Sequence, residues 1–170
     1  DELDTMAAEA EPFRCLIDPN DERFVAPGDM PARIAEFCRE TGQPEPDNPG
    51  AVIRCALESL ALRYRMSIEE LEKITGRSID VLHLVGGGTK NLVLNDYTAS
   101  AINRPVVTGP VEATAMGNLI CQAMATGDIA DLDAAREVVR NSIETKEYKP
   151  VNAEAWENGY RKFRKIVSGS

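Results

Sequence analysis

The chain has 170 residues, of which 43% are hydrophobic, 28% charged and 5% aromatic, which is enough apolar content for one folded domain and too much for a disordered polymer. Its formal net charge of −9 opposes binding to a phosphate polymer, because no stripe of Lys and Arg is present to release counterions, and nucleic acid is not expected as a partner. No apolar run approaches the roughly 18 residues of a membrane helix, and the first ten residues hold four acids and no base, so neither a membrane span nor a secretory signal is expected. The chain opens on Asp1 and not on methionine, a start that fits a fragment or a processed product.

Residues 1–28 read as a short acidic helix followed by an irregular connection, with Pro12, Pro19, Pro27 and Gly28 as punctuation and Phe13, Leu16, Ile17, Phe24 and Val25 as anchors. Asp29 is suited to cap a helix that presents Ile34, Phe37 and Cys38 on one face, and Gly42 closes it. After a proline-rich turn, Asn48-Pro49 opens a long amphipathic helix to about Thr75, with Ile53, Ala56, Leu57, Leu60, Tyr64, Ile68 and Leu71 on its apolar side and Gly76 as its stop. At 1.5 Å per residue it spans roughly 40 Å.

Val81 to Val85 is a short apolar run suited to a strand covered on both faces. A helix over Asn91–Asn103, a second short strand over Pro105–Thr108 and a helix over Val111–Ala125 ended by Gly127 follow. This alternation predicts parallel strands joined by a crossover. Helices over Asp131–Thr145 and Asn152–Val167 complete the chain, the last with Trp156, Tyr160 and Phe163 on one face for core packing. Two short strands make a poor sheet, since three or more are the stable minimum, so further strands are expected to be missing or hidden in the N-terminal segment.

The first strand ends in Gly86-Gly87-Gly88. Backbone N–H groups without a neighbouring Cβ can converge there on an anion, and the following helix N-terminus favours negative charge. Neither a Walker A loop nor G-x-G-x-x-G spacing is present. Lys90 can add a point charge, and Asn91 can cap the helix or touch the ligand. The competing reading is a tight turn that needs positive φ. Ligands in open α/β sheets bind at the carboxyl ends of strands, where this loop and the Thr108–Thr114 loop stand side by side.

At these residues a resemblance emerges. Val85-Gly86-Gly87-Gly88-Thr89-Lys90-Asn91, Leu94-Asn95, Arg104-Pro105-Val106-Val107 and the run Gly109-Pro110-Val111-Glu112-Ala113-Thr114-Ala115-Met116-Gly117-Asn118 resemble the C-terminal domain of FGGY-type carbohydrate kinases. The last run, with Cys38, Cys55 and Leu57-Glu58-Ser59-Leu60-Ala61, is similar to the rhamnulokinase subgroup. The resemblance covers about residues 12–150. It implies part of a ribonuclease-H-like, actin-like ATPase domain, helix-rich with a small parallel sheet, whose first strands lie upstream of Asp1. Residues 1–28 are then the connection of a truncated domain, 29–150 its nucleotide-binding part and 151–170 a C-terminal helix.

The same resemblance implies ATP and Mg2+ as cofactors, with Gly86, Gly87, Gly88 and Asn91 as nucleotide-binding residues. The family's catalytic aspartate lies at the domain junction, and the sugar is bound mostly by the N-terminal domain. No aspartate of this chain inherits that role, no metal ligand is assigned, and the chain alone is expected not to phosphorylate sugar. The whole protein is expected to be a cytoplasmic, ATP-dependent rhamnulokinase making L-rhamnulose 1-phosphate. Alternatives are a related kinase for xylulose, fuculose or gluconate, or a non-catalytic actin-like nucleotide-binding module.

Cys15, Cys38, Cys55 and Cys121 form no C-x-x-C pair, so no zinc site is expected. Cys38 and Cys55 flank the turn of a helical hairpin, and a disulfide between them would close a loop of about 17 residues and contribute ~3 kcal/mol, although a cytosolic enzyme favours free thiols. His83, between Leu82 and Leu84, is expected to be a packed core histidine. Glu112 and Asp96 need no role beyond a helix start and a surface acid.

Overall fold

The computed structural model describes residues 2–169, with Asp4 described through its backbone alone. Among these residues the chain forms α1 (Glu2–Glu9), α2 (Met30–Glu40), α3 (Pro49–Thr75), β1 (Leu82–Leu84), α4 (Leu92–Ile102), β2 (Val106–Thr108), α5 (Ala113–Thr126), α6 (Leu132–Ser142), β3 (Glu147–Tyr148) and α7 (Ala153–Ser168). None of these helices is long and apolar enough to cross a membrane.

Local signals set most of these boundaries. Asp29 accepts the N–H of Ala32 at 3.1 Å, and Asn48 accepts that of Ala51 at 2.9 Å, with Pro49 in the first turn of α3. Gly76 ends α3 and Gly127 ends α5, both in the left-handed conformation.

The buried face of α3 differs from the apolar stripe expected. Ala51, Cys55, Glu58, Ser59, Ala61 and Leu62 are buried, whereas Tyr64 and Leu71 are exposed. The face turns because two of its polar residues have specific partners. Glu58 accepts the Phe13 N–H at 2.8 Å and pairs with Arg54 at 2.7 Å, and the Ser59 hydroxyl accepts the Ile17 N–H at 2.9 Å. These bonds lay the strip Phe13–Ile17 along α3. Arg54 also donates to the carbonyls of Ala7, Ala8 and Ala10, satisfying acceptors that the end of α1 leaves open.

Three apolar clusters follow. Leu16, Ala61, Leu62, Ala101, Trp156, Tyr160 and Phe163 join α3, α4 and α7, so the aromatic face of α7 is core, as expected. Cys15, Ile17, Ile34, Phe37, Cys38 and Cys55 join the strip to α2 and α3. Ala99, Ile102, Val106 and Tyr148 place α4 on the sheet.

The sheet has the order β1-β2-β3. β1 and β2 are parallel, with Leu82 opposite Val106 and Leu84 opposite Thr108. β3 is antiparallel to β2, with Tyr148 opposite Val106, which makes the sheet mixed where an all-parallel one was expected. It also supplies the third strand. The expected helix over 131–145 ends at Ser142, and the freed residues lead into β3. β1 is not covered on both faces: Leu82 and Leu84 are half-buried, but Val81, His83 and Val85 are exposed. His83 is therefore a surface residue of this chain and not a packed core histidine.

Candidate functional site: two stitched loops at the carboxyl ends of β1 and β2

Arg104 aligns the two strands before their loops begin. Its guanidinium grips Glu72 near the end of α3, at 2.6 and 3.2 Å, and the Ile79 carbonyl at 2.7 Å. Glu72 in turn accepts the Ile79 N–H at 2.7 Å. The entries to β1 and β2 are thus bolted to the same helix end. The Arg104 guanidinium, and after it the Ile79 N–H, hold the Glu72 carboxyl below its usual range.

At the other end of the strands the loops interlock. Gly109 donates its N–H to the Leu84 carbonyl at 2.7 Å, and Gly86 donates to the Pro110 carbonyl at 2.9 Å. The close approach leaves no room at Gly109, where a Cβ would stand 2.9 Å from a Val85 methyl. The two loops expected to stand side by side do so.

The three glycines are not equivalent. Gly86 has φ +80° and ψ −164°, a region open essentially to glycine alone, so the turn itself explains it. Gly87 and Gly88 have no positive φ, and a Cβ on either would meet nothing within 4 Å. Neither backbone conformation nor packing within this chain requires glycine at these two positions. Open space in front of backbone amides is what close approach of a ligand needs.

Between β1 and α4 lies a short 3-10 turn, Gly87–Lys90, in place of the direct passage into a helix that the sequence suggested. Its first internal donor is Thr89, whose N–H and hydroxyl both reach the Gly86 carbonyl, at 3.1 and 2.7 Å. The N–H groups of Gly87 and Gly88 precede that donor and fall outside the turn's own bonding. Asn91 accepts the Leu94 N–H at 2.9 Å and caps α4, so its side-chain oxygen serves the helix. Lys90, Asn91 and Glu112 are exposed.

Asn95 is the support that sequence reasoning passed over. It is buried, and its amide donates to the Thr89 carbonyl at 3.0 Å and to the Tyr148 hydroxyl at 3.5 Å. It thereby ties the glycine loop to β3. A polar residue at a core-facing step of α4 was its signal.

Of the cysteines, three converge. Cys15, Cys38 and Cys55 are buried free thiols whose sulfurs all lie within 4.8 Å of one another, and Cys121 is exposed. Cys38 and Cys55 do face each other across the hairpin, unbonded. Cys15 joins them from the strip, a placement no sequence spacing reveals. The neighbouring Cys38 and then Cys55 thiols draw the Cys15 thiol well below its usual range, whereas the proximity of Cys15, with burial, pushes Cys38 and Cys55 up.

Comparison with known proteins identifies the family. Residues 1–126 match the family model described as the FGGY family of carbohydrate kinases, C-terminal domain. The chain is 48% identical over 166 residues to a rhamnulokinase of Bacteroides thetaiotaomicron, covering 98% of this chain and 34% of that protein. It is 42% identical over 171 residues to a rhamnulokinase of Enterococcus faecalis, again covering 98% and 34%. The chain thus spans about a third of the length of these relatives. A xylulose kinase from Rhodospirillum rubrum superposes with a TM-score of 0.70 at 24% identity, covering 99% of this chain and 33% of that one. A Plasmodium falciparum glycerol kinase solved with ADP gives 0.68 at 17%, covering 99% and 33%. The fold is that of the actin-like sugar kinases, and the chain belongs to the FGGY family of carbohydrate kinases, matching its C-terminal domain.

Proposed function

We propose that this chain supplies the nucleotide-binding wall of an ATP-dependent sugar kinase, L-rhamnulokinase, which transfers the γ-phosphoryl group of ATP to L-rhamnulose to give L-rhamnulose 1-phosphate. The observation that carries the nucleotide half is the open space at Gly87 and Gly88, beside amides that precede the first internal donor of their turn. The likeness to rhamnulokinases carries the sugar half.

In this reading the N–H groups of Gly87 and Gly88 receive phosphate oxygens of ATP, and Lys90 lies close enough in sequence to add positive charge. Asn91 orders the start of α4 behind them. Phosphoryl transfer also needs Mg2+, an oriented hydroxyl and a base, and Mg2+ supplies charge neutralisation on the phosphates. No residue of this chain is assigned as a ligand of Mg2+, which would be held through the nucleotide's phosphates and by parts of the enzyme beyond this chain. Those parts also bind the sugar and supply the base, so the chain alone does not turn over sugar. In this reading the 29–150 segment forms the nucleotide-binding unit, with the described residues before and after it packed onto it, and the enzyme works in the cytoplasm.

A coupled assay of the full-length protein against a panel of sugars tests the assignment. L-Rhamnulose-dependent ADP formation, well above that with xylulose, fuculose or gluconate, is expected. A preference for one of those three redirects the assignment within the family. ATP binding without any sugar-dependent turnover indicates a non-catalytic nucleotide-binding module.

A further inference from the structure

The second buried cluster holds three sulfurs that the kinase reading does not use. Cys15, Cys38 and Cys55 come from three separate elements, the Phe13–Ile17 strip, the last turn of α2 and the second turn of α3, yet their sulfurs lie within 4.8 Å of one another. Three sulfurs bound in a plane at about 2.3 Å from one ion would stand roughly 4 Å apart, so the cluster is near the dimensions of a three-sulfur site.

The backbone around the sulfurs is held independently of them. Gln43 clamps Leu16 from both sides, accepting its N–H at 2.9 Å and donating to its carbonyl at 2.7 Å. Ser59 accepts the Ile17 N–H at 2.9 Å while donating to the Cys55 carbonyl at 2.6 Å, which links two of the cysteine-bearing segments. Lys162 donates to the carbonyls of Phe13 and Arg14 at 3.0 and 2.9 Å, bringing a cation to the strip beside Cys15. Cys15 is therefore placed by bonds that survive whether or not its sulfur has a ligand.

We propose that Cys15, Cys38 and Cys55 form a buried binding site for one soft, thiophilic cation, with monovalent copper as its chemical type. Thiolate sulfur selects soft ions. Structural zinc takes a fourth ligand, and among the described residues no histidine or carboxylate joins the three sulfurs. Ile17, Ile34 and Phe37 enclose the cluster and keep water from the metal. Binding forms up to three metal–sulfur bonds and releases one proton from each thiol that ligates, with no change of oxidation state.

Monovalent copper, delivered from a chelating buffer under argon to the reduced full-length protein, tests the site. The unsubstituted protein and Cys121→Ala are expected to take up one equivalent more than Cys15→Ala, and X-ray absorption of the first equivalent should show three sulfur neighbours. Equal uptake by Cys15→Ala, or loss of the equivalent in Cys121→Ala, overturns the proposal. Should Cys15→Ala fail to fold, the coordination in the unsubstituted protein still decides: two sulfurs, or nitrogen and oxygen neighbours, overturn it.

Discussion

Gly86 gives its N–H to the Pro110 carbonyl across 2.9 Å, and that bond is available only because Gly86 holds a backbone conformation that L side chains rarely adopt. The bond joins the loop after β1 to the loop after β2. Gly86→Ala must either strain the backbone or release the stitch, at a cost on the order of 1–3 kcal/mol. Urea denaturation should show that loss. Gly87→Ala, with no such φ and open space at its Cβ, should stay within about 0.5 kcal/mol of the unsubstituted protein.

Asn95 makes the corresponding prediction for the loop's support. Asn95→Leu removes the donor to the Thr89 carbonyl and leaves that acceptor without its amide partner, costing about 1–3 kcal/mol. Because Thr89 closes the turn that carries Gly87 and Gly88, nucleotide affinity should fall along with stability. Calorimetric titration with ATP, set beside a melting curve, checks both. Loss of stability with unchanged affinity would separate the turn from the binding site.

The Glu72–Arg104 pair predicts a pH dependence. The folded state holds the Glu72 carboxyl below its ordinary value of 4.5. The unfolded chain therefore binds the proton first, and the pair's contribution is complete above about that pH and is lost as pH falls through the lower folded value. Glu72→Gln should lower stability at neutral pH and flatten the acid limb of the stability curve. Denaturant midpoints measured from pH 7 down to pH 3 check this, and an unchanged acid limb would count against the pair.

Much of this architecture was legible because it rests on local chemistry. Asp29, Asn48 and Asn91 cap helices that the spacing of apolar residues predicts, and Gly76 and Gly127 stop two of them. What was missed depends on partners distant in sequence. Glu58 and Ser59 turn the buried face of α3 because residues 13–17 supply donors for them. β3 has only two residues and exists through its pairing with Val106 and Val107, too short for any alternation to announce it. His83 reads as buried from its apolar neighbours, but the strand's exposed face puts it outside. Asn95 looked like part of a motif, and only its bond across the turn identifies it as a support. Sequence also could not separate Gly86, which the backbone requires, from Gly87 and Gly88, which it does not.

That separation makes ATP binding by Gly87→Val the most direct test of the central claim. A Cβ added at Gly87 meets nothing within 4 Å in this chain, so the variant should fold with little change in its melting curve. If the space belongs to the phosphates of ATP, the side chain fills it, and titration calorimetry of the full-length protein should show ATP affinity reduced at least about a hundredfold, a change of roughly 2.7 kcal/mol. A folded Gly87→Val protein that binds ATP with the affinity of the unsubstituted one would contradict the account and remove the glycine loop from the nucleotide site.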